Sequence, residues 1–461
     1  MEPFSNRRGF PIVFTEASDT REVKGRVRFV YNALEPVKGL SPPPGTGQWL
    51  SGAKIGSLGR FVLGAFEGDS GGYEIFVNES IARNEPQTLV RYETNDFFTY
   101  TEPELVLKFE GPVRWLGHKS MAKRPDTGER LLLAWAHGET GGLAAHFFKS
   151  VNGSGWEHLN GGRPCFIDHD CGGLLWVEES GKYVDLQNTY QHWEREFGDN
   201  IPTGIRRVLS VRVSEDGLNW VPEYPVLKEG PHRPEAEMLT PDEDDPPDLE
   251  FYCLGAFRYA DRYVGLMTPY TATPLGGVVD TSHGPWLAAR WWFSPNPADV
   301  KAWRRPARDF HAAPIEFVTL RRHHQPLHHG DQLLWLQGGK VYGIPSYRIC
   351  GVWAETNAAF STRSFEASAS PMTLNASIPS FADRSISNPL VPQPFVMAEV
   401  LDGEGDCVSG FEKEKCILKA VDDVRVPLRW EGRDTSQLQG ETVSVRLYLH
   451  HATVYAVDVA G

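Results

Sequence analysis

Residues 211–220, near the middle of the chain, carry the pattern that most restricts its fold. The segment alternates in polarity, turns at Asp216-Gly217 and ends on Trp220. Alternation with a period of two predicts a strand with one buried face, and Asp-Gly is a strong signal for a tight turn. Weaker copies of this order of strand, polar turn and aromatic residue occur at residues 91–100, 146–156 and 291–303. We therefore expect repeated sheets, with Trp220 packed between two of them and its turn on the rim.

Around these copies the chain divides into five units, each with three or four short strand patterns over roughly 50–80 residues. Hardly any segment shows the periodicity of a helix. Units of this kind, repeated around a circle, are typical of a β-propeller. The sequence thus predicts an all-β fold that begins with a five-bladed β-propeller over residues 1–365, with six or seven as alternative blade counts.

The character of the chain changes after about residue 366. Residues 368–388 are rich in Ser, Pro and Ala and predict a linker or a surface strand pair. Alternating patterns follow, at residues 396–401, 424–430, 442–449 and 455–459. These patterns predict an antiparallel β-sandwich, which we place at residues 366–461.

Charge and composition exclude several classes of partner. The net charge of −14 leaves no basic stripe for nucleic acid, and no apolar run of about 18 residues predicts a membrane span. The first residues lack the apolar core of a leader segment, so we expect a cytoplasmic protein, or an exported one whose leader has been removed. Fourteen Trp residues suit stacking on sugar rings as well as core packing. The sequence indicates no oligomeric state.

Several stretches resemble propeller proteins related to glycoside hydrolase families 32 and 43. In the C-terminal region they are residues 399–405, 409–411, 422–423, 428–430, 438–443 and 445–456; in the propeller they are residues 214–220 and the spaced segments 248–252, 255–257 and 263–266. The resemblance implies a five-bladed propeller, a packed sandwich and an oligo- or polysaccharide substrate. The Asn-Asp-Pro-Asn-Gly and Arg-Asp-Pro motifs of those enzymes do not occur, and Gly117-His118-Lys119-Ser120 stands where an Arg-Asp motif is expected.

The innermost strand of each blade points toward the propeller axis, so residues at the blade starts are predicted to converge. Here they are His118 and Lys119; Asp168, His169 and Asp170; Glu250 and Tyr252; and His328 and His329. Hydrolysis of a glycosidic bond needs an acid and a second carboxylate as base or nucleophile. We predict Asp168 or Asp170 as the base and Glu250 as the acid, with Glu235 and Glu237 as alternates.

Three other readings stay open. Polysaccharide lyase chemistry, β-elimination at a uronate such as rhamnosyl-glucuronate, would use His118 or His169 as base. Lys119, Arg206 or Arg207 would then neutralise the carboxylate, and Tyr190 or Tyr252 would be the acid.

Residues 187–195, predicted as a polar loop that includes Tyr190 and His192, would hold the sugar together with His329. A divalent metal such as calcium could lie on the axis between His118, His169, His329 and Glu250, although no local spacing supports it. No other cofactor is predicted. The third reading is a non-catalytic carbohydrate-binding propeller.

Overall fold

The computed structural model of the chain describes most of its length. The described residues are 10–47, 59–69, 71–80, 86–110, 116–137, 143–168, 172–193, 204–223, 234, 237–243, 245, 249–271, 290–305, 325–380 and 393–459. Short 3₁₀ turns occur at Ala17–Asp19, Leu159–Gly162, Val300–Ala302, Lys413–Lys415 and Thr435–Leu438. None of the helices among these residues is long and apolar enough to cross a membrane.

The remaining regular structure is β-strand. The first strands are β1 (Ile12–Val13), β2 (Arg21–Lys24), β3 (Arg28–Tyr31) and β4 (Glu35–Pro36). The central strands are β5 (Gly59–Glu67), β6 (Tyr73–Ser80), β7 (Thr88–Thr94), β8 (Glu104–Lys108), β9 (Leu116–Lys123), β10 (Arg130–His137), β11 (Leu143–Ser150), β12 (Glu157–His158), β13 (Phe166–Asp168), β14 (Gly172–Val177), β15 (Lys182–Trp193), β16 (Gly204–Ser214), β17 (Met238–Leu239), β18 (Leu249–Tyr259), β19 (Arg262–Thr271) and β20 (Arg290–Ser294). The last strands are β21 (Leu327–His329), β22 (Gln332–Gln337), β23 (Lys340–Pro345), β24 (Cys350–Ala354), β25 (Ala358–Ser361), β26 (Phe365–Glu366), β27 (Thr373–Ile378), β28 (Phe395–Leu401), β29 (Ile417–Leu418), β30 (Val421–Pro427), β31 (Thr442–His450) and β32 (Ala452–Asp458).

The central strands form antiparallel sheets that follow one another along the chain. Within the described residues we call them blade 1 (β5–β8), blade 2 (β9–β13), blade 3 (β14–β17), blade 4 (β18–β20) and blade 5 (β21–β23). Strand β4 completes blade 5 as its outermost strand, since Tyr342 pairs with Pro36 and Gly343 with Glu35. A segment near the N-terminus thus holds the last blade.

Apolar side chains fill the space between each blade and the next. Five buried clusters each contain side chains of two neighbouring blades. Examples are Phe76 and Leu132 (blades 1 and 2), Leu133 and Leu174 (2 and 3), Leu186 and Leu254 (3 and 4), Phe257 and Trp335 (4 and 5), and Leu334 and Ile75 (5 and 1). The fifth cluster brings the last sheet back onto the first, so the sheets close a ring. Together with the sandwich described below, this confirms the predicted all-β propeller and sandwich architecture.

The turn after Ser214 explains the repeated sequence pattern. The backbone N–H groups of Leu218 and Asn219 each donate to Asp216 Oδ1 at 2.8 Å. Gly217 takes the left-handed conformation (φ 77°) that glycine adopts without strain, and its N–H donates to Ser214 Oγ at 2.9 Å. The side chain of residue 216 therefore replaces the backbone partners that a strand end lacks.

The tryptophan that closes the pattern is fixed by the same turn. Trp220 Nε1 donates to the Gly217 carbonyl at 3.0 Å. In the copy at residues 146–156, Trp156 Nε1 donates to the Gly153 carbonyl, also at 3.0 Å. The Trp220 ring stacks on Phe147 of blade 2, with ring centroids 4.7 Å apart. The prediction that Trp220 packs between two sheets is confirmed.

The C-terminal strands form a sandwich of two six-stranded sheets. One sheet has the order β3-β24-β32-β27-β30 with β1 beside β32, and the other has the order β2-β25-β31-β28-β29 with β26 beside β31. The prediction of a linker or surface strand pair at residues 368–388 was wrong for β27. This strand lies between β30 and β32 and buries Leu374 and Ala376, because its apolar alternation matches the sandwich core.

Strand pairing changes from blade to sandwich between β23 and β24, and β1, β2 and β3 join the sandwich from the N-terminal side. The predicted division after residue 365 stays a prediction, because pairing assigns strands to sheets and not to independently folding units.

A buried ion pair joins the propeller to the N-terminal segment of the sandwich. Arg262, at the start of β19, donates from Nη1 and Nη2 to the two carboxylate oxygens of Asp19 at 2.8 and 2.9 Å. Asp19 Oδ2 also accepts from the backbone N–H groups of Thr15 and Glu16 at 2.7 and 2.9 Å. A two-pronged pair with further backbone donors has the geometry that buried charge requires.

Removing Asp19 should therefore destabilise the whole chain. In Asp19→Ala the Arg262 guanidinium stays buried without its main partner, and we expect the free energy of unfolding to fall by about 3–5 kcal/mol. Urea unfolding followed by tryptophan fluorescence measures the change. The matched control is Glu215→Gln, which removes the exposed Lys182–Glu215 pair and should cost less than about 1 kcal/mol. Equal losses in both variants would contradict a role for the buried pair.

Two histidines lie together between blades 1 and 2. His146 Nδ1 is 3.1 Å from His158 Nε2, and the His158 ring stacks on Phe148 at 4.2 Å. Burial, and to a smaller extent the neighbouring His158, lowers the pKa of His146 to about 4. Burial also lowers the pKa of His158. The folded protein thus holds this pair neutral.

The pair should make stability depend on pH. Between a pH of about 6.5, where an unfolded histidine titrates, and about 4, the unfolded chain binds more protons than the folded protein. The free energy of unfolding should therefore fall as the pH drops through this window. Urea unfolding at several pH values should show a shallower slope for His146→Gln than for the unsubstituted protein. An unchanged slope would show that the pair does not titrate on unfolding.

Candidate active site

We call the end of the propeller at which β5, β9 and β14 begin the upper end. In blade 3, β14 begins at Gly172, which pairs with Gln187. Strand β15 continues past that point to Trp193 with β16 as its partner, through pairs such as Gln191 with Arg206. The β15–β16 hairpin therefore extends above the innermost strand. The prediction of a loop beginning at residue 187 was wrong, because the register with β16 continues unbroken to residue 193.

The face of this hairpin toward blade 2 is polar and buried. Its buried polar side chains, which we call the blade-3 polar layer, are Asp185, Gln187, Thr189, Gln191, Arg206, Ser210 and Arg212. Gly172 makes room for the layer, since a Cβ there would come within 2.2 Å of Asp185 Oδ1. Charged and amide groups thus occupy most of this face.

Asp168 of blade 2 is bound to this layer on three sides. Arg212 Nη2 donates to its Oδ2 at 2.9 Å, the Gln187 amide donates to the same oxygen, and Thr189 Oγ1 donates to Oδ1 at 3.2 Å. The Arg212 guanidinium also lies 4.3 Å from the centre of the Phe166 ring. The Asp168 side chain is fully buried. These contacts fix its position and suit a carboxylate that carries charge.

Glu250, which belongs to β18 of blade 4, lies against the opposite face of blade 3. Its Oε2 accepts from the backbone N–H and from Nη1 of Arg207, at 3.0 and 3.1 Å, and its side chain is fully buried. Arg206 and Arg207 are consecutive in β16 and therefore point to opposite faces, and Arg206 Nε donates to Gln191 Oε1 at 2.8 Å. The structure thus places one arginine-bound carboxylate on each side of blade 3.

Strand β18 reaches the axis only after Glu250. A Cβ on Gly173 would lie 2.1 Å from the carbonyl oxygen of Leu254, so the innermost strands of blades 3 and 4 touch at this glycine. Glu250 precedes this contact by four residues and lies against β16, and the register of β18 shifts between Phe251 and Cys253. The start of this blade therefore does not lie beside β14.

Other predicted residues lie elsewhere. Lys119 is buried between blades 1 and 2, donates to Gln87 Oε1 and has its Nζ 5.2 Å from the Phe109 ring centre. His328 and His329 end β21 in the β21–β22 hairpin, and His329 Nδ1 is 3.1 Å from the hydroxyl of Tyr73. Because Tyr73 begins β6 at the lower end, the structure does not bring His329 to Asp168.

Tyr190 is half-buried and pairs with Arg207 across the hairpin. His118, His192 and Tyr252 belong to β9, β15 and β18, but their side chains lie outside the described part of the chain, as do His169, Asp170 and Glu235. Glu237 directly precedes β17. In the described part of the chain no group of three or more His, Cys, Asp or Glu side chains is arranged to hold a metal ion.

Sequence reasoning missed Asp185, Thr189, Ser210 and Arg212. The alternation in residues 211–220 predicted a strand with one buried face. That prediction was wrong, because a blade packs against a neighbour on each side and Arg212 is as buried as a core residue. The available signal was an arginine in a strand between two valines, which in a propeller requires a buried partner.

Comparison with known proteins gives similar structures only. No family model matches the chain, and no curated protein matches it. A solved structure described under the family 130 mannoside phosphorylases, which contain glycoside hydrolases that target β-1,2-mannosidic linkages in Candida mannan, is 14% identical, with 68% of this chain and 93% of that chain covered and a TM-score of 0.41.

Two further structures fall in families that the sequence resemblance named. The Bombyx mori family 32 β-fructofuranosidase is 9% identical, with 94% of each chain covered and a TM-score of 0.39. A Xanthomonas citri family 43 enzyme complexed with xylotriose is 13% identical, with 63% of this chain and 88% of that chain covered and a TM-score of 0.39. This similarity is too low to establish family membership, and the description of the fold rests on this chain's own sheets.

The Asp168–Arg212 pair should be costly to break from one side. Asp168→Ala leaves the Arg212 guanidinium buried and should lower the free energy of unfolding by about 3–5 kcal/mol. The double variant Asp168→Ala/Arg212→Met removes both charges and should recover most of that loss. Urea unfolding of the two single variants and the double variant completes the cycle. Additive losses would show that the pair does not act as a unit.

Proposed function

We propose that the protein is a glycoside hydrolase that binds an oligo- or polysaccharide at the upper end of blade 3. The observation that carries the proposal is the blade-3 polar layer, together with the two arginine-bound carboxylates that flank the blade. The sequence resemblance to families 32 and 43 supplies the class of substrate and reaction.

Removing charged side chains from water costs free energy. An isolated buried ion pair is rarely more stable than apolar side chains of the same volume, so a fold gains little by placing one between blades. Blade 3 carries such a pair on each face near its upper end, next to a hairpin that extends above the innermost strand. Places where a sequence departs from the most stable core are expected at functional sites.

The extended hairpin offers the groups that bind sugars. Gln187 and Thr189 are fully buried and hold Asp168 from one face of β15, and Gln191 continues that face toward the end of the strand. Tyr190 lies on the other face and is half-buried. Amide and phenol groups donate to and accept from sugar hydroxyls, while an aromatic ring covers the apolar face of the sugar. In the proposal, substrate lies along this hairpin, with Arg206 and Arg207 beside it.

Asp168 and Glu250 receive electrostatic and positioning roles in this proposal. Their side chains are buried and bound to arginine, which suits a fixed anion near a transition state of oxocarbenium type rather than a proton donor. Asp170 follows Asp168 by two residues in the chain and is the carboxylate to which we assign proton transfer.

A glycan panel tests the reaction class. Reducing ends released from a neutral or acidic glycan support hydrolysis, whereas a product with the ultraviolet absorbance of an unsaturated uronate means elimination. If no glycan is cleaved and several bind, the propeller is a binding protein and the proposed reaction is wrong.

Substitution then tests the assigned residues. Asp168→Asn keeps the shape of the side chain but removes its charge, and it should lower kcat at least about 100-fold with little change in KM. Asp170→Asn should lower kcat by at least the same factor. The matched control is Asp261→Asn, which alters a buried, arginine-bound carboxylate at the lower end of blade 4 and should leave kcat and KM unchanged. Full activity in both Asp168→Asn and Asp170→Asn would refute the assignment.

A further inference from the structure

A cavity of about 310 Å³ lies between blade 5 and the sandwich. Its walls include His328 and Asp331 of the β21–β22 hairpin, Ser346 and Tyr347 after β23, and Arg425 of β30. The volume falls at the lower end of the range for small-ligand pockets. Because the β21–β22 hairpin lies at the lower end, the cavity is separate from the upper end of blade 3.

The backbone of Tyr347 is strained at the wall of this cavity. Its φ is 59°, in the left-handed region that bulky residues rarely adopt. The turn that contains it is closed by a 3.1 Å bond from the Arg348 N–H to the Pro345 carbonyl. Glycine or asparagine would suit this position better, so the aromatic residue is kept here against its backbone preference. The ring packs on Tyr259, with ring centroids 5.6 Å apart, and its partly exposed remainder lines the cavity.

The surface behind the ring is rigid. Asn375 Nδ2 donates to the Ser346 carbonyl at 2.8 Å, and its Oδ1 accepts from Arg348 Nε at 2.8 Å. The Ser346 N–H donates to the Asp331 carbonyl at 2.8 Å. These bonds connect the sandwich to the turn on both sides of Tyr347. A ligand that enters the cavity therefore meets a preformed wall.

The charged side chains at the mouth of the cavity, Arg425 and Asp331, are exposed to solvent. Arg425 Nη2 lies 3.1 Å from Asp331 Oδ1, with the two side chains 70% and 56% exposed. An ion pair this exposed contributes little to stability, so its partners can turn toward a ligand at small cost. Planar guanidinium and carboxylate groups bind adjacent hydroxyls well. The cavity thus combines an aromatic face with polar groups at its rim.

We propose that this cavity is a second carbohydrate-binding site, in which the Tyr347 ring stacks on one sugar ring while Asp331 and Arg425 hydrogen-bond its hydroxyls. The class of ligand rests on the proposed function, whereas the site itself rests on the cavity, the strained aromatic residue and the rigid wall. A glycan bound here is held at the end of the propeller away from the cleaved bond.

Isothermal titration calorimetry with xylo-, manno- and fructo-oligosaccharides of five or six units tests the site. Members of the panel that the protein cleaves are titrated into the Asp168→Asn variant. Tyr347→Asn removes the ring but keeps a residue that tolerates the left-handed conformation, so the turn is retained. It should weaken oligosaccharide binding roughly tenfold. Tyr347→Phe keeps the ring and should bind within about twofold of the unsubstituted protein.

Binding at the cavity and cleavage at blade 3 can be measured separately. Arg425→Ala and Asp331→Ala should each weaken binding, while cleavage of a short chromogenic glycoside stays unchanged in all of these variants. Binding that depends on Tyr347 without cleavage of any glycan would refute the proposed reaction and retain this site. Equal affinity for the Tyr347→Asn variant and its parent would overturn the site, as would the failure of every panel member to bind at millimolar concentration.

Discussion

Closure of the ring is the constraint on which the rest of this structure depends. Each blade buries both faces against neighbours, and the fifth inter-blade cluster returns the last blade to the first. A strand in such a ring has no solvent face along most of its length. Polar side chains in the middle of a blade must therefore find partners inside the protein, which explains why Arg212, Asp168 and Gln187 form one bonded group.

The N-terminal segment connects the two parts of the fold. Strand β4 completes blade 5, whereas β1, β2 and β3 pair within the sandwich sheets. Asp19 of the same segment binds Arg262 of blade 4, and Arg363 binds the neighbouring Asp261 at 2.6 Å. Ring closure and docking of the sandwich thus use the same stretch of chain, so neither should form fully before residues 10–36 are in place.

The upper end of blade 3 carries buried ion pairs, which are costly to place inside a protein. Apolar filling is the stable solution for packed sheets. A buried ion pair also lies between blades 1 and 2, where Arg130 binds Glu74. Blade 3 carries such a pair on both of its faces, beside the hairpin that extends above the innermost strand. The cavity at the lower end is marked instead by backbone strain at Tyr347.

Local patterns in the sequence were enough to predict most of the strands, the turn chemistry and the all-β architecture, because these depend on residues close together in the chain. The Ser214-to-Trp220 motif could be interpreted correctly since its bonds join residues at most three apart, such as Asp216 with Asn219. The candidate site could be predicted only as a set of blade starts. The tertiary structure brings Asp168 to Arg212, 44 positions away, and Glu250 to Arg207 on the other face of blade 3. Only the closed ring decided those pairs, because alternation shows which residues share a face but not what packs against it.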